Sequence, residues 1–397
     1  MSLLVNLLLV SYALLIFLFA GYEKITLVGF PSLPDDKASS LPLDTPLVSI
    51  ILPVRNQAST LEGCLTSLTS LDYPSKETIV VDGDSTDETP QILTRFRDKI
   101  RILNEEPLPK RWVGKNWACH LGYQQAKGEL FLFTDGDSIH ATDSLTRTVA
   151  YLQSSKVDLV TLAPQTILET FWEKLLQPVV FYLIMVSVGG KWVNDDRRPN
   201  YSIGNGQYML ITRAAYEKIG GHKAVHDRIV EDLSMARNLK RAGLKLRFLV
   251  AQDAFGVRMY SSLREIWLGW RKNFYTVSEN HRLLKALQRF LFLFVFFILP
   301  FIILTQGILL APTQPVNLFL LTGAFMSFWL WLGMLIFYKQ GARLNPAYGV
   351  LLPLAVAVYM AIGVDSTIRG ALGKGLSWKG RIYEQNNQKP DDKSRRV

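Results

Sequence analysis

At 397 residues the chain is long enough for one sizeable soluble domain and a membrane part. Its apolar share of 49% and mean hydropathy of +0.14 average a charged middle and long apolar runs at both ends. A formal net charge of +10 suits an anionic partner. With apolar runs present, that partner is read as anionic lipid or a phosphate-bearing donor; no nucleic-acid-binding motif appears. Cys64 and Cys119 allow at most one bridge and show no paired zinc spacing, so a reducing compartment fits and both read as small core residues.

The first apolar run, Leu3 to Tyr22, has about the length of a membrane span. No Lys or Arg precedes it and no A-x-A cleavage pattern follows, so residues 1–22 are expected to be an uncleaved anchor rather than a signal peptide. Pro31 to Leu43 carries Pro, Ser and Asp without periodicity and reads as part of a linker over 23–45. From residue 46 the pattern changes. Strands are predicted at Val48 to Val54, Glu77 to Asp82, Ile100 to Leu103 and Glu129 to Asp135, and helices at Ala58 to Leu71, Glu88 to Ile100 and Trp117 to Ala126. This alternation implies an α/β domain over 46–285 with helices on both faces of a parallel sheet, its ligand site at the carboxyl ends of the strands.

Three further apolar runs fall within 286–368: Phe290 to Leu310, Leu318 to Tyr338 and Tyr348 to Val364. Pro312 and Pro315 mark a turn after the first, and Lys339 and Arg343 a loop after the second. Basic loops favour the cytoplasmic side, which places the Lys- and Arg-rich middle there. Four full spans would then leave the C-terminus outside. Yet residues 369–397 form a basic tail (Arg369, Lys374, Lys379, Arg381, Lys393, Arg395, Arg396). Either the last run is re-entrant or interfacial, or Leu175 to Val188 is a half-buried helix that adds membrane contact; both readings stand. The apolar runs lack the charges a transport pathway needs.

Chemistry is expected where strands end in acids. Asp135 and Asp137 follow an apolar strand one residue apart and can share a divalent cation on a diphosphate; a plain turn is the alternative. Asp82 closes a second strand and can accept from a base or ribose, while Ser85 or Thr86 can cap the next helix.

The order Pro53-Val-Arg-Asn56, then Val-Asp-Gly-Asp-Ser-Thr-Asp, then Phe-Thr-Asp-Gly-Asp, resembles the family 2 glycosyltransferases. The resemblance implies inverting enzymes of the GT-A fold: a Rossmann-like, mixed, mostly parallel sheet, here with transmembrane helices at both ends. It implies a nucleotide-sugar donor (UDP-sugar favoured, GDP-sugar possible) and Mg²⁺ or Mn²⁺ on Asp135 and Asp137. Donor binding is expected from Pro53, Arg55, Asn56, Asp82, Lys115, Asp135 and Gly136. Asp84 follows Gly83, which stands where the family usually carries a second acid. Gly204-Asn205-Gly206-Gln207 is similar to the family's acceptor loop, and Glu231-Asp232 to its catalytic acids, with Asp232 as the base. As alternatives, that pair simply suits the first turn of a helix over Leu233 to Ala242.

The Gln-x-x-Arg-Trp motif of polymer-making members is missing near Trp267-Leu-Gly-Trp-Arg-Lys-Asn273, which favours single-sugar transfer. Arg271 and Lys272 can meet the departing diphosphate, or snorkel at a membrane surface. Leu108-Pro-Lys-Arg-Trp-Val-Gly-Lys-Asn-Trp117 resembles a stretch in membrane members linked to carotenoid and hopanoid pathways, with Arg111 where Gly is usual; Trp378-Lys-Gly-Arg381 resembles that subgroup too. Trp112 and Trp117 can stack a base or sugar, or pack in the core. His140 is a candidate third cation ligand or an ordinary surface residue.

The expected protein is thus a multi-pass hexosyltransferase of the cytoplasmic membrane whose catalytic domain faces the cytoplasm. Its expected acceptor is a membrane lipid hydroxyl, first a carotenoid (xanthophyll), otherwise a hopanoid or glycerolipid. The rivals are a processive polysaccharide synthase and a non-enzymatic sugar-nucleotide-binding membrane scaffold.

Overall fold

Residues 3–35, 44–276, 282–314, 317–372, 376–378 and 381–383 are described by a computed structural model. Residues 36–43 of the predicted linker, Pro315, His281, Lys374, Lys379, Lys393, Arg395 and Arg396 lie outside the described residues. The leading apolar run forms α1 (Leu3–Val28), which continues past Tyr22 and carries a buried Glu23.

The domain that follows opens with β1 (Val48–Val54), α2 (Ala58–Thr69), β2 (Lys76–Asp82), α3 (Thr89–Arg95), β3 (Arg101–Asn104), α4 (Gly114–Gln125) and β4 (Leu130–Thr134). It continues through β5 (Ser138–His140), α5 (Ser144–Ser154), β6 (Leu159–Ala163), β7 (Gln165–Thr166), α6 (Phe171–Val188) and α7 (Gly190–Val193). Then come β8 (Tyr208–Thr212), α8 (Arg213–Lys218), α9 (Glu231–Arg241), β9 (Leu246–Val250) and β10 (Phe255–Val257).

Seven strands form one sheet in the order β3-β2-β1-β4-β8-β6-β9. The β1–β2, β1–β4, β2–β3 and β6–β9 pairs are parallel, and β8 runs antiparallel to both β4 and β6. The sheet is therefore mixed and mostly parallel, as the resemblance implies. β1 is an almost continuous apolar run because both its faces are covered. Val48, Ile50, Leu52 and Val54 pack into the core with α2 and α5, while Ile51 joins α4, α8 and α9 on the other face. α4 lies close to the sheet because Gly122 has no side chain: a Cβ there would sit 2.6 Å from Ile51.

After the domain come α10 (Leu263–Thr276), α11 (Arg282–Leu293), α12 (Leu299–Leu310), α13 (Leu318–Ile336) and α14 (Leu352–Ala371). A hairpin of β11 (Leu376–Trp378) and β12 (Arg381–Tyr383) follows and holds the ends of the Trp378-to-Arg381 motif. A π-helical segment, Phe294–Ile298, joins α11 to α12 just before Pro300, which has no N–H to continue the ladder.

Among the described residues, five stretches are long and apolar enough to cross a membrane: Leu3–Leu27, Phe171–Val188, Leu283–Leu310, Leu318–Gly341 and Pro346–Arg369. Large side chains such as Leu4, Leu8, Leu18, Leu283 and Leu309 stand exposed on them. Apolar surface of that extent belongs against lipid, so the protein is membrane-associated.

α6 joins the two parts. Half of its apolar window is buried. Pro178 interrupts its backbone ladder, and the hydroxyls of Tyr338 and Tyr359 donate to the nearby carbonyls of Leu175 (2.7 Å) and Leu176 (3.1 Å).

Candidate active site

The carboxyl ends of β1, β2 and β4 meet on one edge of the sheet, with β1 between the other two. Such an edge is where α/β sheets bind ligands. The turn after β4 is held from three sides. Thr60 Oγ1 donates to the Gly136 carbonyl at 2.8 Å, the Cys64 thiol to the Asp135 carbonyl at 3.6 Å, and Thr134 Oγ1 to the Gln207 carbonyl at 2.8 Å. Asp135, Gly136 and Asp137 all open on a cavity of about 1550 Å³.

Lys115, in the first turn of α4, ties two acids together. Its Nζ lies 2.8 and 3.0 Å from the two carboxylate oxygens of Asp135 and 2.9 Å from Glu231 Oε1. Burial alone would lower its pKa, but the Asp135 and Glu231 carboxylates outweigh that and hold it well above the usual lysine value. Asp232 Oδ2 accepts from the Gly206 N–H at 2.9 Å and Oδ1 from the Leu233 N–H at 2.7 Å.

Gly204 lets the 204–207 loop lie against α9, and Gly206 leaves room for the Lys115 side chain. A Cβ at Gly204 would lie 2.2 Å from the Asp232 carbonyl oxygen, and one at Gly206 would lie 2.7 Å from Lys115 Nζ. Asn205 anchors the loop on β6: its N–H donates to Thr161 Oγ1 at 2.9 Å and its Nδ2 to the Leu162 carbonyl at 2.7 Å.

The Asp232 carboxyl is pushed up to about 6, first by burial and then by the Glu231 carboxylate, against the pull of Lys115. Such a group can take a proton near neutral pH. A reaction that needs it deprotonated loses rate on acidification, so kcat/KM is expected to rise through a limb near pH 6. A pH–rate profile reads this directly. Lys272 of α10 lines the same cavity, and burial lowers its pKa to about 8, with Glu231 opposing the shift.

Several expected site residues are placed differently. Arg271 points away from the cavity and pairs with Asp365 of α14 (Nη1 to Oδ2 3.3 Å), because neighbours on a helix project about 100° apart and Lys272 takes the cavity side. Asp365 also accepts from Trp267 Nε1 at 2.8 Å and Arg369 Nε at 2.9 Å, so α14 braces the helix that carries Lys272. Asp82 is buried and accepts from the Ser85 N–H (3.1 Å) and hydroxyl (2.6 Å), which closes its own turn. Asp84 is exposed at a left-handed φ of 63°. Of this turn it is Gly83 that lines the cavity, beside Pro53, Arg55 and Asn56. Arg55 Nη1 donates to the Gly83 carbonyl and, at 3.0 Å, to that of Asp84. Asn56 Oδ1 accepts from the Thr86 N–H at 2.8 Å.

Trp112 and Trp117 pack edge to face at 5.0 Å, with His120 and His226 around Trp112, away from the cavity wall. His140 is neither a surface residue nor turned to the acids. Its Nε2 is 3.0 Å from Thr134 Oγ1, its ring stacks on Phe255, and burial lowers its pKa to about 3.

Asn116 escaped the sequence reading. It is fully buried, and its Nδ2 donates to the carbonyls of Val225 (2.7 Å) and Arg228 (2.8 Å), which fixes the loop leading into Glu231 and Asp232. Asn116→Ala leaves buried carbonyls unpaired and is expected to cost about 1–3 kcal/mol. A lowered unfolding midpoint of the detergent-solubilised protein checks this.

Residues 49–220 match the family model described as Glycosyl transferase family 2, the family that the sequence motifs resemble. Glu231 and Asp232 lie just beyond the match. A 4,4'-diaponeurosporenoate glycosyltransferase of Staphylococcus haemolyticus is 25% identical over 234 residues, which cover 58% of this chain and 61% of that protein. Glycosyltransferase AglE of Haloferax volcanii is 35% identical over 120 residues, 29% of this chain and 38% of that one. Among solved structures, mannosyltransferase PcManGT from Pyrobaculum calidifontis, in complex with GDP-Man and Mn²⁺, is 19% identical with a TM-score of 0.49, covering 92% of this chain and 94% of that chain. The chain thus spans about three fifths of the length of the Staphylococcus relative.

Proposed function

We propose that the protein transfers a single sugar from a nucleotide-sugar donor to the hydroxyl of a membrane lipid, with inversion. The observation that carries this reading is one continuous cavity. It starts at Pro53, Arg55 and Gly83, passes Lys115, Asp135, Asp137, Glu231, Asp232 and Lys272, and ends among Phe181, Ile184, Leu293 and Tyr359 of the apolar helices. A polar donor and an apolar acceptor can meet there without either crossing the other's surroundings.

The nucleoside end is assigned to Pro53, Arg55, Asn56 and Gly83, with Asp82 shaping the turn. Gly136 belongs to the same wall, and the diphosphate lies toward Lys115 and Lys272. Asp135 and Asp137 offer hard oxygen donors, the ligand type Mg²⁺ and Mn²⁺ take. Among the described residues no group of three His, Cys, Asp or Glu gathers as a ready metal site. A pair of carboxylates completed by substrate phosphate and water is nonetheless the usual way Mg²⁺ is held, so the residues fit. A bound cation would supply positive charge to the donor diphosphate.

Asp232 takes the proton from the acceptor hydroxyl as that oxygen attacks the anomeric carbon, and the bond from that carbon to the diphosphate oxygen breaks on the opposite face, releasing the nucleoside diphosphate toward Lys115 and Lys272. Its placement by Gly206 ties the base to the acceptor loop, Gly204 to Gln207. Lys115 pairs with Glu231 beside it at 2.9 Å.

The acceptor is proposed to be a carotenoid, in line with the relative named for diaponeurosporenoate; a hopanoid or glycerolipid is the second choice. The protein is read as a multi-pass membrane protein with residues 46–285 facing the cytoplasm, where sugar nucleotides are available. Incubation with UDP- and GDP-hexoses, Mn²⁺ or Mg²⁺, and lipid extract tests the reading, with mass spectrometry as readout. One hexose per lipid supports it, and long glycan chains point to the polysaccharide synthase.

A further inference from the structure

We propose that the acceptor enters sideways from the membrane, through a groove between α11 and α14 that holds its single hydrocarbon chain. This rests on the reading of the protein as a lipid glycosyltransferase.

A second, smaller cavity of about 220 Å³ lies between the two helices, lined by Leu283, Leu287 and Phe290 of α11 and by Met360, Val364 and Ile368 of α14. It adjoins the catalytic cavity, and Phe274, Arg289, Leu293 and Tyr359 line both. Its volume is below the roughly 300–1000 Å³ that encloses a whole small-molecule ligand, so it accommodates part of one: a chain whose polar end lies deeper. The face of α11 beside the groove presents Leu283, Leu284, Leu287 and Leu291 outward, so the opening meets lipid rather than water. Arg289, the charged residue in the groove lining, stands at the junction where a hydroxyl or carboxylate head would pass.

Gly363 supplies the second argument. Gly307 of α12 and Gly323 of α13 have packing reasons. A Cβ at Gly307 would press on Leu320 of α13 at 2.3 Å, and one at Gly323 on Leu304 of α12 at 2.4 Å. A Cβ at Gly363 would meet nothing within 4 Å, yet Gly363 lies inside α14, where glycine weakens a helix. Packing does not explain this residue. It lines the groove, and the open space it leaves widens the passage.

The test uses full-length protein in phosphatidylglycerol nanodiscs as wild type, Gly363→Ala and Gly363→Phe. A long-chain alcohol carrying a diazirine along its chain is photo-crosslinked and the adducts mapped. Transfer to lipid extract and Mn²⁺-dependent binding of UDP- and GDP-hexoses are measured in parallel. Adducts are expected on 283–293 and 360–368 in wild type and Gly363→Ala. Gly363→Phe is expected to lose them and to transfer about 10- to 200-fold more slowly to lipid, the scale of a steric change in an apolar site, with donor binding unchanged. Adducts elsewhere, or a Gly363→Phe enzyme that labels and transfers like wild type, overturn the proposal. Groove adducts in a wild type that glycosylates no lipid uphold chain binding and count against the glycosyltransferase reading alone.

Discussion

Asp232→Asn is expected to lower transfer by about 100- to 10,000-fold, the usual contribution of a positioned general base, and to leave donor binding nearly intact. The amide has the shape of the carboxylate and keeps one acceptor oxygen, enough for one of the two N–H groups that separate carboxylate oxygens now take, Gly206 at 2.9 Å and Leu233 at 2.7 Å, so a small loosening of the loop or the helix start accompanies the main effect. What disappears is the ability to take a proton. Single-turnover kinetics with a saturating donor separate the two effects. Near-normal turnover in the variant would assign the base elsewhere, with Glu231 next in line.

Lys115→Met is expected to lower the rate by about 100- to 1000-fold, the scale set by losing one preorganised electrostatic group. A second consequence identifies the cause. Lys115 pulls the Asp232 pKa down against burial and Glu231, so removing it moves the acid limb of the pH–rate profile to higher pH. A variant that is slow but keeps its limb near pH 6 would show that Lys115 does not act on the base. The same substitution leaves Asp135 and Glu231 without the cation they now share at 2.8 and 2.9 Å.

These effects trace back to features of unequal visibility in the sequence. The strands that carry the site were legible because their burial on both faces makes them nearly unbroken apolar runs. Val48 to Val54 was predicted with its observed ends; Glu77 to Asp82 differs from Lys76–Asp82 by one residue at its start, and Glu129 to Asp135 from Leu130–Thr134 by one residue at each end. The third predicted helix begins earlier than expected, at Gly114 rather than Trp117, and this extra turn is what places Lys115 on the helix. The second ends early, at Arg95 rather than Ile100, because the chain turns so that Phe96 and Ile100 can pack back on the core.

Side-chain direction was not legible. Arg271 and Lys272 are chemically similar neighbours, and only the angle between adjacent helical positions sends one to Asp365 and the other into the cavity. Asp365 itself lies just past an apolar run, and Glu23 just past another. The helices extend beyond those runs and carry both acids. Asn116 reads as an ordinary polar helix residue. Its role depends on a loop more than a hundred positions away, whose carbonyls it satisfies. His140 sits three residues past a metal-type acid, Asp137, yet strand alternation turns it into the core beside Tyr208 and Phe255.

The most direct measurement is mass spectrometry of lipids after incubation of the full-length protein with UDP- or GDP-hexose, Mn²⁺ and hydroxylated carotenoids, alongside the Asp232→Asn variant. One hexose added to one lipid by wild type and lost in the variant is the predicted result. A wild type that binds the nucleotide sugar but modifies no lipid, or a variant that matches wild type, would contradict it.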